Sequence, residues 1–541
     1  MKVILLFIYF NIFAIGASAN FLRFLQSSEN KYSYTDYKAT SSNQNLSNQE
    51  LTCSNIDESV VYITNTGIEI SDSTITKSSG DSSNTENSEF YGVNAAVLVQ
   101  GGEVTIKGGA INTKAKGANA LCATNKGTVT IEGTTITSTG ESSARGLHAT
   151  YGGKITAKKV TISSKGGSCA SLATDRGEGT VTCESCTLST QGAGSPLIYS
   201  TGQITVSGTT GTATGAQAVV VEGKNTATVE GSSNLKCNGI GNRNNVDKCG
   251  VMLYQSMSGD ADSGTSTFNC KSSTIEILSG SSVYSSAPMF FITNTDASIN
   301  LEGCTLTYGS NIFLSAAGTS EWGTSGSNGG VVSLTLKNQE IVGDFSIDSN
   351  SGLTIKMENS SIKGKINNAK TAAKIEITLD SSSSIELTGD SYYTSLTNSD
   401  SDGTNINKGN YAWEQVDATE ISRPSGGQGM PGGESGQGGS GGESGQGGPG
   451  GPGGESGQGG PGGPGGESGQ GGPGGPGGES GQGGPGGPGG ESGQGGPGGE
   501  SGQEGPGDLN FGPRTSSVNE TNSNSRFLDF SSLLLLLFIL F

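Results

Sequence analysis

The chain has 541 residues, 93 of them glycine, and only 31% are hydrophobic. A single globular domain of this length would carry more apolar residues, so the composition indicates a thin elongated fold, disordered segments or both. The formal net charge of −19 argues against nucleic acid as a partner, because its phosphates would be repelled.

The N-terminal residues 1–19 are typical of a secretory signal peptide. Lys2 supplies the positive start, residues 3–15 form an apolar run, and Ala17-Ser18-Ala19 supplies the small residues at a cleavage site. The apolar run is shorter than the ~20 residues of a membrane-spanning helix. We therefore expect cleavage before Asn20 and entry into the secretory pathway.

The central region repeats a motif of the form Gly-x-Val-Thr-Ile every 23 to 26 residues. The clearest copies start at Val104, Val129, Ile155, Val181, Ile204 and Ala227, and looser ones at Phe268, Ile299, Leu334, Leu353 and Ile377. A second short strand follows each clear copy, and a third precedes it. Three short strands in about 24 residues predict an all-β fold, one turn of a parallel β-helix per repeat.

Alternation within the motif predicts which side chains point outward. Its first and third residues are apolar and should face the interior, whereas the middle residue is threonine in the six clear copies. The next outward position reads Lys107, Glu132, Lys158 and Glu184 in successive repeats. Stacking in register would place these opposite charges beside each other, which supports the alignment.

The composition divides the chain further. We assign residues 20–51 to an irregular N-terminal cap, 52–395 to the β-helix of about 12 turns and 396–424 to a junction. Residues 425–508 are almost wholly Gly, Pro, Ser, Gln and Glu. This tract predicts a disordered stalk, since it has no apolar core. It is not collagen, because every fourth triplet opens with serine where a triple helix requires glycine.

The C-terminal end resembles a glycosylphosphatidylinositol (GPI) attachment signal. Residues 509–526 form a polar spacer rich in small residues, and residues 527–541 form a hydrophobic tail that is too short to span a bilayer. The candidate attachment residues are Ser516, Ser517, Asn519 and Asn522. We therefore expect the protein on the extracellular face of the plasma membrane, with the membrane as a partner through this anchor.

Nine cysteines in a secreted chain predict disulfides, with at least one cysteine unpaired. Cys237 and Cys249 flank an irregular loop and are the best candidate pair, whereas Cys183 and Cys270 are expected as buried thiols. We expect Cys186, in Cys183-Glu-Ser-Cys186, to lie beyond the strand. N-glycosylation sequons occur at Asn45, Asn359 and Asn519.

The repeats resemble the right-handed parallel β-helices of the pectate-lyase-like superfamily, which includes polysaccharide lyases, glycosidases and many surface adhesins. Gly101-Gly102-Glu103-Val104 and Gly152-Gly153-Lys154-Ile155 also resemble repeats of adhesin-like outer membrane proteins. The resemblance covers roughly residues 52–390 and implies a right-handed solenoid.

The resemblance to enzymes of that superfamily would imply carboxylates grouped on an outer face, and the predicted strands carry no such group. Asp260 with Asp262, and Asp400 with Asp402, are expected as solvated turns, and His148, aligned with Cys122 and Leu172, as a structural residue. The sequence thus predicts no catalytic residues, metal site or cofactor.

We expect a non-catalytic protein of adhesion or of a surface coat, with an extracellular polysaccharide or a surface protein as ligand. The alternatives are a carbohydrate-active enzyme, a passive coat protein, and an ice-binding protein. Thr135-x-Thr137 and Thr305-x-Thr307 fit the last, but Ala110-x-Asn112 does not.

Overall fold

A computed structural model describes residues 33–39 and 45–422, for the first of these ranges in backbone only. The chain divides into two units, Met1–Gly438 and Gly439–Phe541, and the second lies wholly outside the described residues. So do the predicted signal peptide, stalk, spacer and C-terminal tail. The described part is almost entirely β-structure, with 42 strands numbered β1 to β42 in chain order.

A twelve-stranded first sheet takes every third strand of the chain. Its strands are β1 (Ser33–Ala39), β4 (Glu58–Ile63), β7 (Val97–Gln100), β10 (Leu121–Thr124), β13 (Leu147–Ala149), β16 (Leu172–Thr174), β19 (Ile198–Ser200), β22 (Val219–Glu222), β25 (Val251–Tyr254), β28 (Phe290–Thr293), β31 (Ile312–Ala316) and β34 (Asp344–Ile347). A separate pair, β39 (Ser391–Tyr393) and β42 (Trp413–Gln415), forms a two-stranded sheet near the C-terminal end of the described residues.

The second sheet has fourteen strands, and their order defines rungs 1 to 14 of the solenoid. They are β2 (Leu46–Ser47), β5 (Ile68–Ser71), β8 (Glu103–Lys107), β11 (Thr128–Glu132), β14 (Gly153–Lys158), β17 (Gly179–Glu184), β20 (Gln203–Ser207), β23 (Thr226–Glu230), β26 (Thr265–Lys271), β29 (Thr295–Glu302), β32 (Gly330–Lys337), β35 (Gly352–Glu358), β37 (Lys374–Leu379) and β40 (Ser395–Asn398).

The third sheet has ten strands, and a four-stranded sheet follows it. The ten are β3 (Glu50–Cys53), β6 (Thr74–Lys77), β9 (Ala110–Thr113), β12 (Thr135–Ser138), β15 (Thr161–Ser164), β18 (Thr187–Thr190), β21 (Thr210–Ala213), β24 (Asn234–Cys237), β27 (Thr274–Ile277) and β30 (Thr305–Thr307). The four are β33 (Glu340–Val342), β36 (Ser361–Gly364), β38 (Ser384–Leu387) and β41 (Ile406–Asn407).

This order confirms the predicted parallel β-helix, because each strand pairs in parallel with the strand about one repeat away. The predicted boundaries at residues 52 and 395 are too narrow. Strands β1 to β3 already form a rung within the expected N-terminal cap, and β40 to β42 lie largely in the expected junction. The second sheet therefore has fourteen rungs rather than about twelve.

The predicted outward columns are confirmed. Thr130 pairs with Thr105 and with Thr156, and Glu132 with Lys107 and Lys158. One register prediction is wrong: Leu353 aligns with Val332, two residues before the expected Leu334. A shift of two residues keeps every side chain on its face, so alternation alone could not detect it.

The interior is a continuous column of apolar side chains from all three sheets. In rungs 9 to 12 it contains four buried phenylalanines, Phe268, Phe290, Phe313 and Phe345, whose neighbouring ring centroids are 5.7, 5.3 and 5.1 Å apart. Such stacks bury a large apolar area per residue, which a thin solenoid with little interior needs.

The corner between the second and third sheets has a repeated conformation. Each corner has a residue with a left-handed φ, followed at two corners by a second (Gly109 and Ser232), and in most corners the side chain after these residues turns inward. The left-handed residues are Asp72, Gly108, Gly133, Lys159, Ser185, Gly208, Gly231, Ser272, Gly303, Asn338 and Asn359. Several inward residues link the rungs, as where Thr209 N–H donates to Ser233 Oγ (3.0 Å) and Ser233 N–H to Ser273 Oγ (3.1 Å).

The disulfide predictions require correction. Cys183 bonds to Cys186 within one rung, and Cys270 bonds to Cys304 of the next rung, so neither Cys183 nor Cys270 is a thiol. Cys186 and Cys304 lie at the inward position of the corner, which the sequence pattern did not reveal.

Cys237 and Cys249 are not bonded to each other. Cys237 belongs to the interior column, whereas Cys249 packs with Met252, Phe291 and Trp322 in a separate cluster. The two side chains thus lie in different packing environments.

The structure contains one unpredicted helix among the described residues, α1 (Thr85–Tyr91). The Asn84 side chain accepts a hydrogen bond from the Glu86 N–H, and Gly92 ends the helix in a left-handed conformation. No helix within residues 33–39 and 45–422 is long and apolar enough to cross a membrane.

Candidate functional site

The outer face of the second sheet is a strip of three columns of side chains running along the solenoid. The middle column over rungs 3 to 11 is Thr105, Thr130, Thr156, Thr182, Thr205, Thr228, Asn269, Asn300 and Thr335. All are exposed or half-buried, and none is charged. The face is therefore a row of hydroxyl and amide groups with free donor and acceptor capacity.

A shallow groove of about 330 Å³ lies on this face at rungs 8 to 11. Asn300 Nδ2 donates to Asn269 Oδ1 (2.9 Å), and Asn269 Nδ2 donates to Thr228 Oγ1 (3.2 Å). Thr335 continues the floor, and Lys271 lies at the side. These two hydrogen bonds fix the orientation of the Asn300 and Asn269 amides, so the groove is a pre-organised polar surface.

Beside the middle column runs a charge column in which lysine and glutamate alternate far beyond the four rungs expected from the sequence. Its members over rungs 3 to 12 are Lys107, Glu132, Lys158, Glu184, Ser207, Glu230, Lys271, Glu302, Lys337 and Glu358. Glu230 pairs with Ser207 of rung 7. Val229 pairs with Cys270 of rung 9, so Glu230 and Lys271, the residues that follow them, are aligned in the charge column. Ion pairs join Lys158 to Glu184 (3.1 Å) and Lys271 to Glu302 (3.2 Å).

The outer face of the third sheet is uncharged over rungs 2 to 7. Its two rows are Thr74, Ala110, Thr135, Thr161, Thr187 and Thr210, and Thr76, Asn112, Thr137, Ser163, Ser189 and Thr212. All twelve side chains are exposed or half-buried. Thr135-x-Thr137, which fits an ice-binding pattern, is thus part of rows that continue through Thr161, Thr187 and Thr210.

The outer face of the first sheet differs, because other segments cover it. His148 Nε2 donates to the backbone carbonyl of Glu89 in helix α1 (2.7 Å). Arg176 lies over the Phe90 ring at 3.9 Å and pairs with Asp260 at 2.8 Å. Helix α1 and the segment 255–264 thus both contact Arg176, and they bury the side chains beneath them.

A buried cluster of ionisable groups lies under this cover. Arg145 forms an ion pair with Asp175 (2.7 Å), and both side chains are less than a tenth exposed. Burial raises the pKa of Asp175 to about 7, although Arg145 opposes the shift. Burial and the charge of Arg145 hold the pKa of His148 well below its usual value, so the imidazole is neutral. His148 aligns with Cys122, as expected, and with Ala173 rather than Leu172.

Glu222 forms a second buried centre. It is 1% exposed, and its Oε2 accepts hydrogen bonds from the hydroxyls of Tyr199 (2.5 Å) and Tyr254 (2.7 Å). Burial raises the pKa of Glu222, while the hydrogen bonds from Ser256 and the two tyrosines oppose the shift. Two acids with raised pKa values therefore lie on one outer face, although the predicted strands were expected to carry no grouped carboxylates.

The sequence gives a weak signal for these acids. Asp175 directly follows β16 and Glu222 ends β22, so both stand at the C-terminal end of a first-sheet strand. The expectation of a solvated turn is wrong for Asp260, which pairs with Arg176, whereas Asp262 is exposed as expected and pairs with Lys224 (3.0 Å). The turn at Asp400 is confirmed by its hydrogen bonds from Thr404 Oγ1 (3.0 Å) and Asn405 N–H (3.1 Å).

Of the predicted modification sites, Asn45 and Asn359 are exposed on the described part of the chain. Asn519 and the candidate attachment residues Ser516, Ser517 and Asn522 lie outside it. Over residues 33–39 and 45–422, no group of three or more His, Cys, Asp or Glu side chains is arranged to hold a metal ion.

Comparison with protein-family models, curated proteins and solved structures finds no match to this chain.

Proposed function

We propose that this chain is a non-catalytic cell-surface adhesion protein that binds an extended extracellular polysaccharide. The observation that carries the proposal is the uncharged double row of hydroxyls on the third sheet, which continues through six rungs. Rungs stack about 4.8 Å apart, a spacing close to the length of one sugar unit, so a chain along the axis could meet equivalent hydroxyls at each rung. The same rows would also suit a passive coat protein, which would bind no sugar.

The proposal includes secretion, a GPI anchor and membership of the pectate-lyase-like superfamily. A solenoid of three parallel sheets with about 24 residues per rung supports the superfamily assignment. The anchor has its own test: phosphatidylinositol-specific phospholipase C should release the protein from intact cells. Protein that stays on the cells after treatment would contradict the anchor alone.

A glycan array with the full-length protein tests the binding. Thr161→Val with Thr187→Val removes two hydroxyls from the third-sheet rows while keeping side-chain size. If each contributes one hydrogen bond of about 1 kcal/mol, affinity for the best glycan should fall roughly 30-fold. The matched control is Thr130→Val with Thr182→Val on the second sheet, which should bind as wild type. Binding to no glycan, or equal losses in both variants, would contradict the proposal.

A carbohydrate-active enzyme is the second candidate, and the buried acids Asp175 and Glu222 favour it. A pair of carboxyl groups with different environments is what glycoside hydrolysis requires. Helix α1 and the segment 255–264 would have to move to admit a substrate. Release of reducing ends or unsaturated products from polysaccharides by the wild type, with loss of activity in Glu222→Gln, would establish this alternative.

A further inference from the structure

The charge column of the second sheet has a strict order across ten rungs. Every lysine stands in an odd-numbered rung, 3, 5, 9 or 11, and every glutamate in an even-numbered one, 4, 6, 8, 10 or 12. Ser207 fills rung 7 without breaking the order. The column is therefore regular enough to meet a second surface with the same period.

We propose that the partner of this face is a second copy of the same chain, packed face to face and antiparallel. The inference rests on the proposed adhesive function and names a second copy of the chain as the partner in adhesion. Consider a half-turn about an axis parallel to the strands and centred between rungs 7 and 8. This rotation keeps each column opposite its own counterpart and reverses the order of the rungs, as a two-fold symmetric contact requires.

The rotation brings every lysine opposite a glutamate. The opposed pairs are Lys107 with Glu358, Glu132 with Lys337, Lys158 with Glu302, and Glu184 with Lys271, and Ser207 meets Glu230. No two like charges meet in this column. A parallel arrangement with equal rungs opposed, made by a half-turn about an axis along the charge column, would put lysine against lysine, so the charges favour the antiparallel pairing.

The middle column is compatible with this contact. In the middle column Thr156 meets Asn300, Thr182 meets Asn269, and Thr205 meets Thr228. These are uncharged donors and acceptors that can bond across the interface. The described sequon residues Asn45 and Asn359 lie outside the outward positions of rungs 3 to 12.

The strip has the size of a specific interface. Ten rungs at about 4.8 Å by five residues at about 3.3 Å give roughly 800 Å² per copy, near the usual value for a stable protein–protein contact. No register shift interrupts the second-sheet pairings across this strip, so the columns stay aligned. Antiparallel copies also point their C-terminal ends in opposite directions, as molecules on two facing cells would.

Bead aggregation tests the proposal. Full-length protein is attached through a C-terminal tag to beads of two colours, and the rate of mixed aggregation is measured. Variant A carries Lys158→Glu and Lys271→Glu, and variant B carries Glu184→Lys and Glu302→Lys. Each alone opposes like charges, so A with A and B with B should aggregate at least roughly tenfold more slowly than wild type. A mixed with B opposes only unlike charges and should recover.

The third sheet and the four-stranded sheet that follows it supply a control with the same net charges. There Lys236 pairs with Glu276 (2.9 Å) and Lys363 with Glu386 (2.8 Å). Lys236→Glu with Lys363→Glu, and Glu276→Lys with Glu386→Lys, should each self-aggregate as wild type does. Wild-type beads that do not aggregate, or controls that behave like A and B, would overturn the proposal. Glycan binding that is lost while bead aggregation persists would count only against the polysaccharide ligand.

Discussion

Replacing Phe313 by alanine should destabilise the solenoid strongly. The side chain is 0% exposed, and its ring lies 5.3 Å from that of Phe290 and 5.1 Å from that of Phe345. Burial of a phenylalanine contributes about 1.5–3 kcal/mol, and each aromatic pair adds about 0.5–1.5 kcal/mol. Alanine would also leave a cavity between two rungs, so we expect a loss of about 3–5 kcal/mol.

Urea denaturation followed by circular dichroism measures this loss. Because each rung contacts only its neighbours, hydrogen exchange should show lost protection mainly in rungs 10 to 12. The control is Tyr411→Ala, whose side chain is 43% exposed and should change stability by less than about 0.5 kcal/mol. A loss below about 1 kcal/mol at Phe313 would refute the stacked interior.

Three further predictions follow from the corners and the buried groups. Gly166→Ala should lower the unfolding midpoint, because a Cβ there would lie 2.0 Å from the carbonyl oxygen of Gly140; an unchanged midpoint would contradict the tight stacking. Cys304→Ser should cost about 3–4 kcal/mol in non-reducing denaturation, since the Cys270–Cys304 bond spans 34 residues, and should cost little under reducing conditions. Asp175 keeps its proton up to about pH 7 in the folded state but only to about pH 4 when unfolded, so its contribution to stability should fall by up to about 4 kcal/mol as pH rises from 4 to 7. Asp175→Asn should flatten that slope, and a slope that persists would assign it to other groups.

The repeat could be predicted from the sequence because each rung turns the same pattern of apolar side chains toward the interior. Alternation placed Thr130 and Glu132 outward and predicted their neighbours correctly. It failed at Leu353, because a shift of two residues leaves the inward face unchanged. Local periodicity thus determines faces better than it determines register.

The disulfides and the buried acids depend on information that periodicity lacks. Cys304 reaches Cys270 because the corner turns its side chain inward, and no alternation rule covers a corner. Glu222 becomes buried beside Tyr254, 32 residues further along the chain, and Asp260 reaches Arg176 across 84 residues. Such contacts come from insertions folding back over the first sheet, so they could not be predicted from the repeat.

Both proposed surfaces exist only if the rungs stack in register, and distances between spin labels test this most directly. All nine cysteines are buried, so cysteines introduced in the outward-facing middle column can be labelled selectively. Pairing Thr130→Cys with Thr228→Cys, Asn300→Cys or Thr378→Cys separates the labels by four, six or nine rungs. Stacking in register predicts distances near 19, 29 and 43 Å, rising by about 4.8 Å per rung. Distances that do not rise in proportion to the number of rungs would contradict the solenoid and both of its faces.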